Sequence, residues 1–386
     1  MSTKRYEETL AKIKENSSYR ILRNTVKSGK NISFEGNNYI NFSSNDYLGI
    51  SSDIELWNNF LKNNILNDNC FNGSNCSSRL LTGNSEHYAI IEDYLSGLYK
   101  SEAALVFNSG YHVNIGILPA LTTKNDLIID DKLVHASIID GVRLSEAKKI
   151  RYKHNDLEQL EEILKTERHL HENVFIVTES VFSMDGDLAD LKKLVELKKK
   201  YNSFLYIDEA HAIGTFGNKG LGLAEELGLI SEIDFIVGTF GKAVASQGAF
   251  VICSSLFRNY LINKMRSIIF TTALPPFSLK WTHFILQRIT KMSEQRTHLM
   301  KLSEYFRNKI SALGFETNGS SNIVPLIVGE NDKCIKLAEY LQKNGVFILP
   351  VRPPTVPDGT ARLRFSLTSQ IEYSEIDKII DLLKKY

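Results

Sequence analysis

The sequence predicts an α/β protein with a mainly parallel central sheet, followed by a smaller α+β domain. Six short and nearly continuous apolar runs alternate with helical patterns in the middle of the chain, as buried parallel strands and their covering helices do. After about residue 276 the pattern changes to longer helical segments that flank three strand-like runs. The length of 386 residues is sufficient for two domains.

The N-terminal segment, residues 1–45, is predicted to form a helix and an arm. Within the first 20 residues, Tyr6, Leu10 and Ile13 are spaced for one face of an amphipathic helix. This polar, charged start lacks the apolar stretch of a secretory signal, so we expect no leader peptide.

Residues 46–275 are predicted to form the large domain. A helix is expected over 187–201, where lysines cluster late, as the C-terminal end of a helix favours. The six apolar runs are AALVF (103–107), DLIID (126–130), NVFIVTES (173–180), SFLYIDEAH (203–211), DFIVGTFGK (234–242) and GAFVICSS (248–255).

Residues 276–386 are predicted to form the small C-terminal domain, with the boundary near Pro275 and Pro276. Helical patterns cover 277–313 and 331–344, and the chain ends in the helical EIDKIIDLLKKY. The strand-like runs are SNIVPLIVG, GVFILPV and ARLRFSLT.

Charge and cysteine content narrow the class of protein. Forty-six basic side chains face 45 acidic ones, and the net charge of +1 argues against an extended surface for nucleic acid or anionic lipid. No apolar run approaches the ~18–20 residues of a membrane span. The four cysteines (Cys70, Cys76, Cys253 and Cys334) have neither zinc-ribbon nor redox-pair spacing, so we expect no metal site, reduced thiols and a cytoplasmic protein.

Ligands of open α/β sheets bind beyond the carboxyl ends of the strands, and three of these ends stand out: TESVFSMDGD, IDEAHAIG and GTFGKA. Asp208 follows an apolar run at one end, and Lys242 follows another, inside a Gly-Thr-Phe-Gly turn. An acid that pairs with a ring nitrogen and a desolvated lysine that forms an imine together suggest pyridoxal phosphate. The letters DEAH invite a helicase interpretation, which we reject because GTFGKA lacks the glycine spacing and the hydroxyl of a phosphate loop.

The chain resembles the α-oxoamine synthases from about residue 20 to its C-terminus. These are fold-type I pyridoxal-phosphate transferases, similar in fold to aspartate aminotransferase, that condense an amino acid with an acyl-CoA. The matching segments are NFSSNDYLG (41–49), SRLLTGN (78–84), NSGYHVN (108–114), HAS (135–137), TESVFSMDGD (178–187), DEAHAIGTFG (208–217), GTFGKA (238–243), FTTALPP (270–276) and RPPTVPDGTARLR (352–364).

The resemblance implies roles for residues around the cofactor ring. Lys242 matches the lysine that forms the imine and later removes the α-proton of the amino acid, and Asp208 matches the acid on the pyridine nitrogen. His135 matches the histidine that stacks on the ring and can donate a proton to a substrate oxygen. His211 and Ser183 match residues near the phenolic oxygen of the cofactor.

The resemblance also implies a phosphate site and a shared dimer site. The backbone N–H groups of Gly110 and Tyr111, with the hydroxyl of Thr239, match the phosphate ligands, and a helix N-terminus suits an anion. Thr271 and Thr272 resemble a segment that reaches the phosphate of the neighbouring subunit, which implies a homodimer.

Substrate contacts are expected near both ends of the chain. Arg364 matches the arginine that holds the amino-acid carboxylate, and Asn45 resembles its helper. Arg20 matches an N-terminal substrate residue, with Arg23 as a competing alignment. Thr355 lies in the matching substrate loop.

Within the family, RPPTVPDGTARLR is most similar to the members that join L-alanine to a pimeloyl thioester in biotin biosynthesis. The acyl group can arrive on CoA or on a carrier protein, and the sequence leaves this choice open. Two alternatives remain. One is the same chemistry on glycine with acetyl-CoA or on serine with a long acyl-CoA, and the other is a catalytically silent partner subunit.

Overall fold

The computed structural model of the chain describes residues 3–66 and 72–386, so Cys70 lies outside the described residues. The described residues form two compact units. The large unit comprises Asp53–Ser183 and Leu188–Arg296, and the small unit comprises Met1–Ser52, Met184–Asp187 and Thr297–Tyr386.

The secondary structure alternates strands and helices through the middle of the chain. The strands are β1 Thr25–Ser28, β2 Asn31–Phe34, β3 Asn37–Asn41, β4 Ala103–Phe107, β5 Leu127–Asp131, β6 Lys148–Tyr152, β7 Val174–Glu179, β8 Phe204–Asp208, β9 Phe235–Thr239, β10 Ala249–Cys253, β11 Ile323–Gly329, β12 Val346–Phe347, β13 Pro350–Val351 and β14 Ala361–Ser366. The helices are α1 Lys4–Glu15, α2 Ile54–Asn64, α3 Glu86–Tyr99, α4 Gly110–Leu121, α5 Ala136–Leu144, α6 Leu157–Glu167, α7 Leu191–Lys200, α8 Leu223–Glu226, α9 Ser255–Lys264, α10 Arg266–Ile269, α11 Pro276–Ile289, α12 Ser293–Ala312, α13 Asn331–Lys343 and α14 Tyr373–Lys385.

The large unit is built on a seven-stranded sheet in the order β4-β10-β9-β8-β7-β5-β6. Every neighbouring pair is parallel except those of β10, which runs antiparallel to both β4 and β9. Only residues 240–248 connect β9 to β10, and a parallel crossover needs about a dozen residues or more. The mainly parallel sheet was predicted correctly, whereas the direction of β10 was not foreseen.

The burial of each strand explains whether it could be predicted from the sequence. Every residue of β4, β5, β7 and β10 is buried, so these strands are continuous apolar runs. Five of the six predicted runs contain a whole strand, and the run 126–130 covers all of β5 except Asp131. Strand β6, KKIRY, was missed because it lies at the edge of the sheet with most of its residues exposed.

Helices α4 and α5 pack closely in the large unit. A Cβ atom built on Gly141 of α5 would lie 2.1 Å from the backbone oxygen of Asn114 on α4, so only glycine allows this approach. This contact places the N-terminal ends of the two helices beside the carboxyl ends of the strands, where the predicted site residues lie.

The small unit contains two sheets, in the orders β1-β2-β3-β12 and β11-β14-β13. Strand β3 pairs in parallel with β12, with Ile40 opposite Val346. Phe42 and Phe306 both contact Phe365 edge-on within its buried core. The segment predicted as a separate N-terminal arm therefore belongs to the same unit as the C-terminal residues.

The contacts of α11 explain why the units divide at a different place from the predicted limits after residues 45 and 275. Helix α11 belongs to the large unit, because Phe277 and Trp281 pack against Trp57 and Phe60 of α2 with ring centroids 5.0–5.7 Å apart. Within the described ranges, no helix has both the length and the apolar character that crossing a membrane requires.

Candidate active site

A cavity of about 170 Å³ opens at the carboxyl ends of β7, β8 and β9 in the large unit. Seven residues predicted for the cofactor site line it: Gly110, Tyr111, His135, Asp208, His211, Thr239 and Lys242. They meet there because parallel neighbouring strands end at the same edge of the sheet.

Asp208 is the last residue of β8 and is 5% exposed. Its Oδ2 accepts a hydrogen bond from Asn114 Nδ2 at 2.8 Å, and its Oδ1 accepts one from the Ala210 N–H at 2.9 Å. These donors stabilise a buried carboxylate and hold it at the cavity.

Lys242 and Thr239 lie in the turn that follows β9. Thr239 Oγ1 donates to the Gly248 oxygen and accepts from the Gly241 N–H, both at 3.2 Å, so the turn is closed by its own hydroxyl. Lys242 is half-buried, and its ammonium acts on two other groups of the cavity. It lowers the pKa of His135 and offsets part of the raised pKa of Glu179.

His135 precedes α5 and caps its first turn. Burial lowers the pKa of its imidazole, while the Asp208 carboxylate acts in the opposite direction. Its backbone N–H donates to Glu179 Oε1. The Glu179 carboxyl, 3% exposed and paired across the strands with Asp208, has a pKa well above its ordinary value because of burial and that neighbouring charge.

The α4 N-terminus and Thr239 face the same small space. Helix α4 begins at Gly110, where the first N–H groups have no partner inside the helix. A Cβ atom on Gly110 would lie 3.7 Å from Thr239 Cβ. Tyr111 directs its hydroxyl away to Asp140, leaving its backbone N–H at the helix start.

Three predicted cofactor residues are not among those that line the cavity. Ser183 is half-buried beyond the end of β7. Thr271 is half-buried and Thr272 is exposed; the Thr272 carbonyl accepts a hydrogen bond from Asn108 Nδ2 at 2.7 Å.

Of the predicted substrate residues, His135 lines the cavity of the large unit, and the other four lie in the small unit and form two groups. In the first, Arg364 Nη1 donates to Asn45 Oδ1 at 3.2 Å and to Ser366 Oγ at 2.6 Å, while its Nη2 lies 3.4 Å from the Tyr47 hydroxyl. Burial raises the pKa of Tyr47, and Arg364 partly opposes that shift. In these three contacts the guanidinium meets neutral oxygen atoms.

The second group joins the N-terminal segment to the proline-rich loop. Arg20 Nη2 donates to Thr355 Oγ1 at 3.1 Å, and both side chains are exposed. The pKa of Arg352 is lowered mainly by burial, with further contributions from the charges of Arg20 and Arg23. Both Arg20 and Arg23 therefore affect Arg352 electrostatically, and either of them can be the predicted N-terminal substrate residue.

The cavity residues have the chemistry that pyridoxal phosphate requires. Asp208 is a buried acid for a protonated ring nitrogen, Lys242 is an amine for covalent attachment, and the start of α4 with the Thr239 hydroxyl suits the phosphate. Among residues 3–66 and 72–386, no cluster of three or more His, Cys, Asp or Glu side chains could hold a metal ion.

Sequence reasoning missed the polar residues that support this site. Asn114, Ser137 and Glu179 line the cavity, and Tyr206 donates from beneath it to Asn114 Oδ1. Glu179 and Ser137 stand inside the matching segments TESVFSMDGD and HAS, so their place at strand and helix ends was a usable signal. Asn114 likewise ends the matching segment NSGYHVN, whereas Tyr206 carried no such signal, because its position inside an apolar run resembles that of an ordinary core residue.

The family assignment follows from comparison with known proteins. The family described as aminotransferase class I and II matches residues 37–383. The chain belongs to this family and is a fold-type I, pyridoxal-phosphate-dependent transferase.

More similar relatives narrow the assignment to the α-oxoamine synthases. The chain is 48% identical over 372 residues to a protein of Haemophilus influenzae (strain ATCC 51907 / DSM 11121 / KW20 / Rd) that carries the name 8-amino-7-oxononanoate synthase provisionally; the match covers 96% of this chain and 97% of that one. A protein of Glaesserella parasuis serovar 5 with the same provisional name is 55% identical over 309 residues, covering 80% and 81% of the two chains.

Solved structures agree with this narrower assignment. A serine palmitoyltransferase of Sphingomonas wittichii has a TM-score of 0.91 at 28% identity, covering 100% of this chain and 98% of that one. An 8-amino-7-oxononanoate synthase of Francisella tularensis has a TM-score of 0.75 at 30% identity, covering 90% and 97%. Another serine palmitoyltransferase, solved with pyridoxal phosphate, has a TM-score of 0.90 at 28% identity, covering 99% and 98%.

Proposed function

We propose that this enzyme condenses L-alanine with a pimeloyl thioester to form 8-amino-7-oxononanoate in biotin biosynthesis. In this reaction the alanine α-carbon loses its proton and bonds to the acyl carbon, the C–S bond breaks to release a thiol, the carboxylate leaves as carbon dioxide, and the α-carbon takes up a proton. The observation that carries the proposal is the 48% identity, over nearly the full length of both chains, to a relative with this provisional name. The loop RPPTVPDGTARLR supports it independently.

The large unit would hold the cofactor, which supplies an electron sink for the negative charge that develops at the substrate α-carbon. We assign Lys242 to its covalent attachment and Asp208 to its ring nitrogen. Gly110, Tyr111 and Thr239 would bind its phosphate, His135 would cover its ring, and His211 and Ser183 are assigned to its phenolic oxygen.

Proton movement is assigned to Lys242 Nζ. As a free amine, Nζ would take the α-proton of alanine. Lys242 interacts electrostatically with the Glu179 carboxyl and the His135 imidazole, which line the same cavity. A half-buried amine beside such groups is protected from bulk water and can exchange its proton within the cavity.

Substrate binding is assigned to the small unit. Arg364, oriented by Asn45 and Ser366, would bind the alanine carboxylate, because a guanidinium donates two parallel hydrogen bonds to a planar anion. Thr355 and Arg20 would contact the acyl substrate.

We also propose a cytoplasmic homodimer, in which Thr271 and Thr272 of one subunit reach the phosphate site of the other. The exposure of Thr272 and of neighbouring Phe270, 70% exposed, supports a partner at this segment. The small number of cysteines supports a reducing compartment.

A second candidate function is condensation of serine with a long acyl-CoA. It is favoured by the TM-score of 0.91 to a serine palmitoyltransferase. A third candidate is the same reaction with glycine and acetyl-CoA as substrates. A silent partner subunit is disfavoured, since Lys242, Asp208 and His211 are all present at one cavity.

Product analysis would separate these functions. The holoenzyme is incubated with alanine, glycine or serine, each combined with acetyl-, pimeloyl- or palmitoyl-CoA or with pimeloyl carrier protein, and product mass and carbon dioxide are measured. Alanine with a pimeloyl thioester should be fastest, and acetyl-CoA slow because it lacks the remote binding energy of a long chain. Faster turnover of serine with palmitoyl-CoA, or of glycine with acetyl-CoA, would contradict the biotin assignment.

A further inference from the structure

A chain of hydrogen bonds connects Asp208 to His135 through two residues to which no role has been assigned. Asn114 Nδ2 donates to Asp208 Oδ2 at 2.8 Å and to Ser137 Oγ at 2.9 Å. Ser137 Oγ lies 2.7 Å from His135 Nδ1. Asn114, Ser137 and Asp208 are all at least 95% buried, so water does not compete for these contacts.

The chemistry of Asp208 determines the orientation of the Asn114 amide. The amide oxygen and nitrogen are nearly equal in size, so hydrogen-bond partners decide which way the group points. An amide oxygen facing the carboxylate would be repelled, whereas Nδ2 donates to it. The opposite side of the amide, Oδ1, accepts from the buried Tyr206 hydroxyl, so both sides of the group are satisfied.

The orientation of Asn114 in turn determines what Ser137 can offer. Ser137 Oγ accepts a hydrogen bond from Asn114 Nδ2, which leaves its own proton available for its other partner, His135 Nδ1. The Ser137 backbone N–H also points to Nδ1, at 3.3 Å. Two donors converge on this ring nitrogen, which must then act as an acceptor.

We propose that Asn114 and Ser137 are positioning residues that hold neutral His135 in the tautomer with its proton on Nε2. The ring then presents Nε2–H as its hydrogen-bond donor to a molecule in the cavity. Burial and the Lys242 charge favour the neutral ring, opposed by the Asp208 and Asp140 carboxylates.

The proposed tautomer has a consequence for catalysis. In the condensation, Nε2–H can donate to the carbonyl oxygen of the thioester while negative charge develops there, without a prior change of protonation. This use of the donor rests on the proposed function, whereas the tautomer itself follows from the hydrogen bonds alone.

Solid-state 15N spectra of histidine-labelled holoenzyme test the proposal, because protonated and unprotonated ring nitrogens have different chemical shifts. The His135 signals are identified by their loss in His135→Asn. We expect a protonated Nε2 and an unprotonated Nδ1 in the wild type at neutral pH. A protonated Nδ1 would overturn the proposal, and this result requires no variant of the relay to fold.

Substitutions then test the two positioning residues. Ser137→Ala should move the tautomer ratio toward Nδ1–H by about fivefold, the effect of one hydrogen bond. Tyr206→Phe, which releases Asn114 Oδ1, should move it in the same direction by less. Ser145→Ala removes another buried hydroxyl, at the far end of α5, and should leave the His135 signals unchanged.

Identical His135 spectra in Ser137→Ala and Ser145→Ala would refute the relay. By contrast, an Nε2–H signal in a protein that condenses none of the thioesters would contradict the proposed function and leave the tautomer standing.

Discussion

Gly141→Ala should disturb the cofactor site through the packing of two helices. The added methyl group would lie 2.1 Å from the Asn114 backbone oxygen, whereas ordinary contact begins near 3.4 Å. Helices α4 and α5 must therefore move apart by more than about 1 Å, at a cost of about 1–3 kcal/mol for overpacking. These helices carry Gly110 and His135 at their starts, so the phosphate site and the ring-stacking residue move with them.

The matched control is Gly97→Ala on α3, where an added Cβ atom meets no atom within 4 Å. This variant should unfold at the same or a slightly higher temperature, since alanine favours a helix over glycine by up to about 1 kcal/mol. Thermal unfolding of both variants is measured, and pyridoxal phosphate is titrated by absorbance. Gly141→Ala should melt several degrees lower and bind the cofactor at least about tenfold more weakly, since small displacements of site residues are costly. Equal melting temperatures and equal cofactor affinity in the two variants would refute the packing argument.

Three further predictions address the site and the stability of the protein. Lys242→Ala should lose turnover and the absorbance of the covalently attached cofactor, and retention of either would remove Lys242 from its assigned role. Arg364→Lys should raise the KM for alanine about 10- to 100-fold through loss of charged hydrogen bonds, whereas Thr355→Ala should raise the KM for the thioester and leave that for alanine unchanged; the reverse pattern in steady-state kinetics would contradict the assignments. Burial raises the pKa of Glu209 from 4.5 to about 7, so the folded protein binds this proton more tightly than the unfolded chain, and its stabilising contribution is present below pH 4.5 and lost as pH rises to about 7. Urea unfolding at pH 5 and pH 8 should show a smaller difference in Glu209→Gln than in the wild type, and an unchanged difference would contradict this assignment.

The exposed edge of the large sheet shows where sequence patterns stop being informative. Apolar runs predicted the buried strands well, because a strand that is covered on both faces of the sheet consists almost entirely of apolar residues. Strand β6 was missed, because an edge strand that faces solvent has no such constraint on its residues. The reversal of β10 had a signal in the nine residues that precede it, too few for a crossover helix.

For the candidate site, the sequence by itself determined that an acid and a lysine follow two buried strands. Because parallel strands end at one edge, this order predicts that Asp208 and Lys242 share a cavity, as they do. Only the tertiary structure decided which polar residues support them. Asn114 of α4 bonds to Tyr206 and Asp208 of β8 and to Ser137 of α5, and hydrogen bonds between residues 92 or 94 positions apart leave no local pattern in the chain. Residues 1–52 likewise belong with the C-terminal part because β3 pairs with β12. These strands are far apart in the sequence, so the composition of either one does not reveal the pairing.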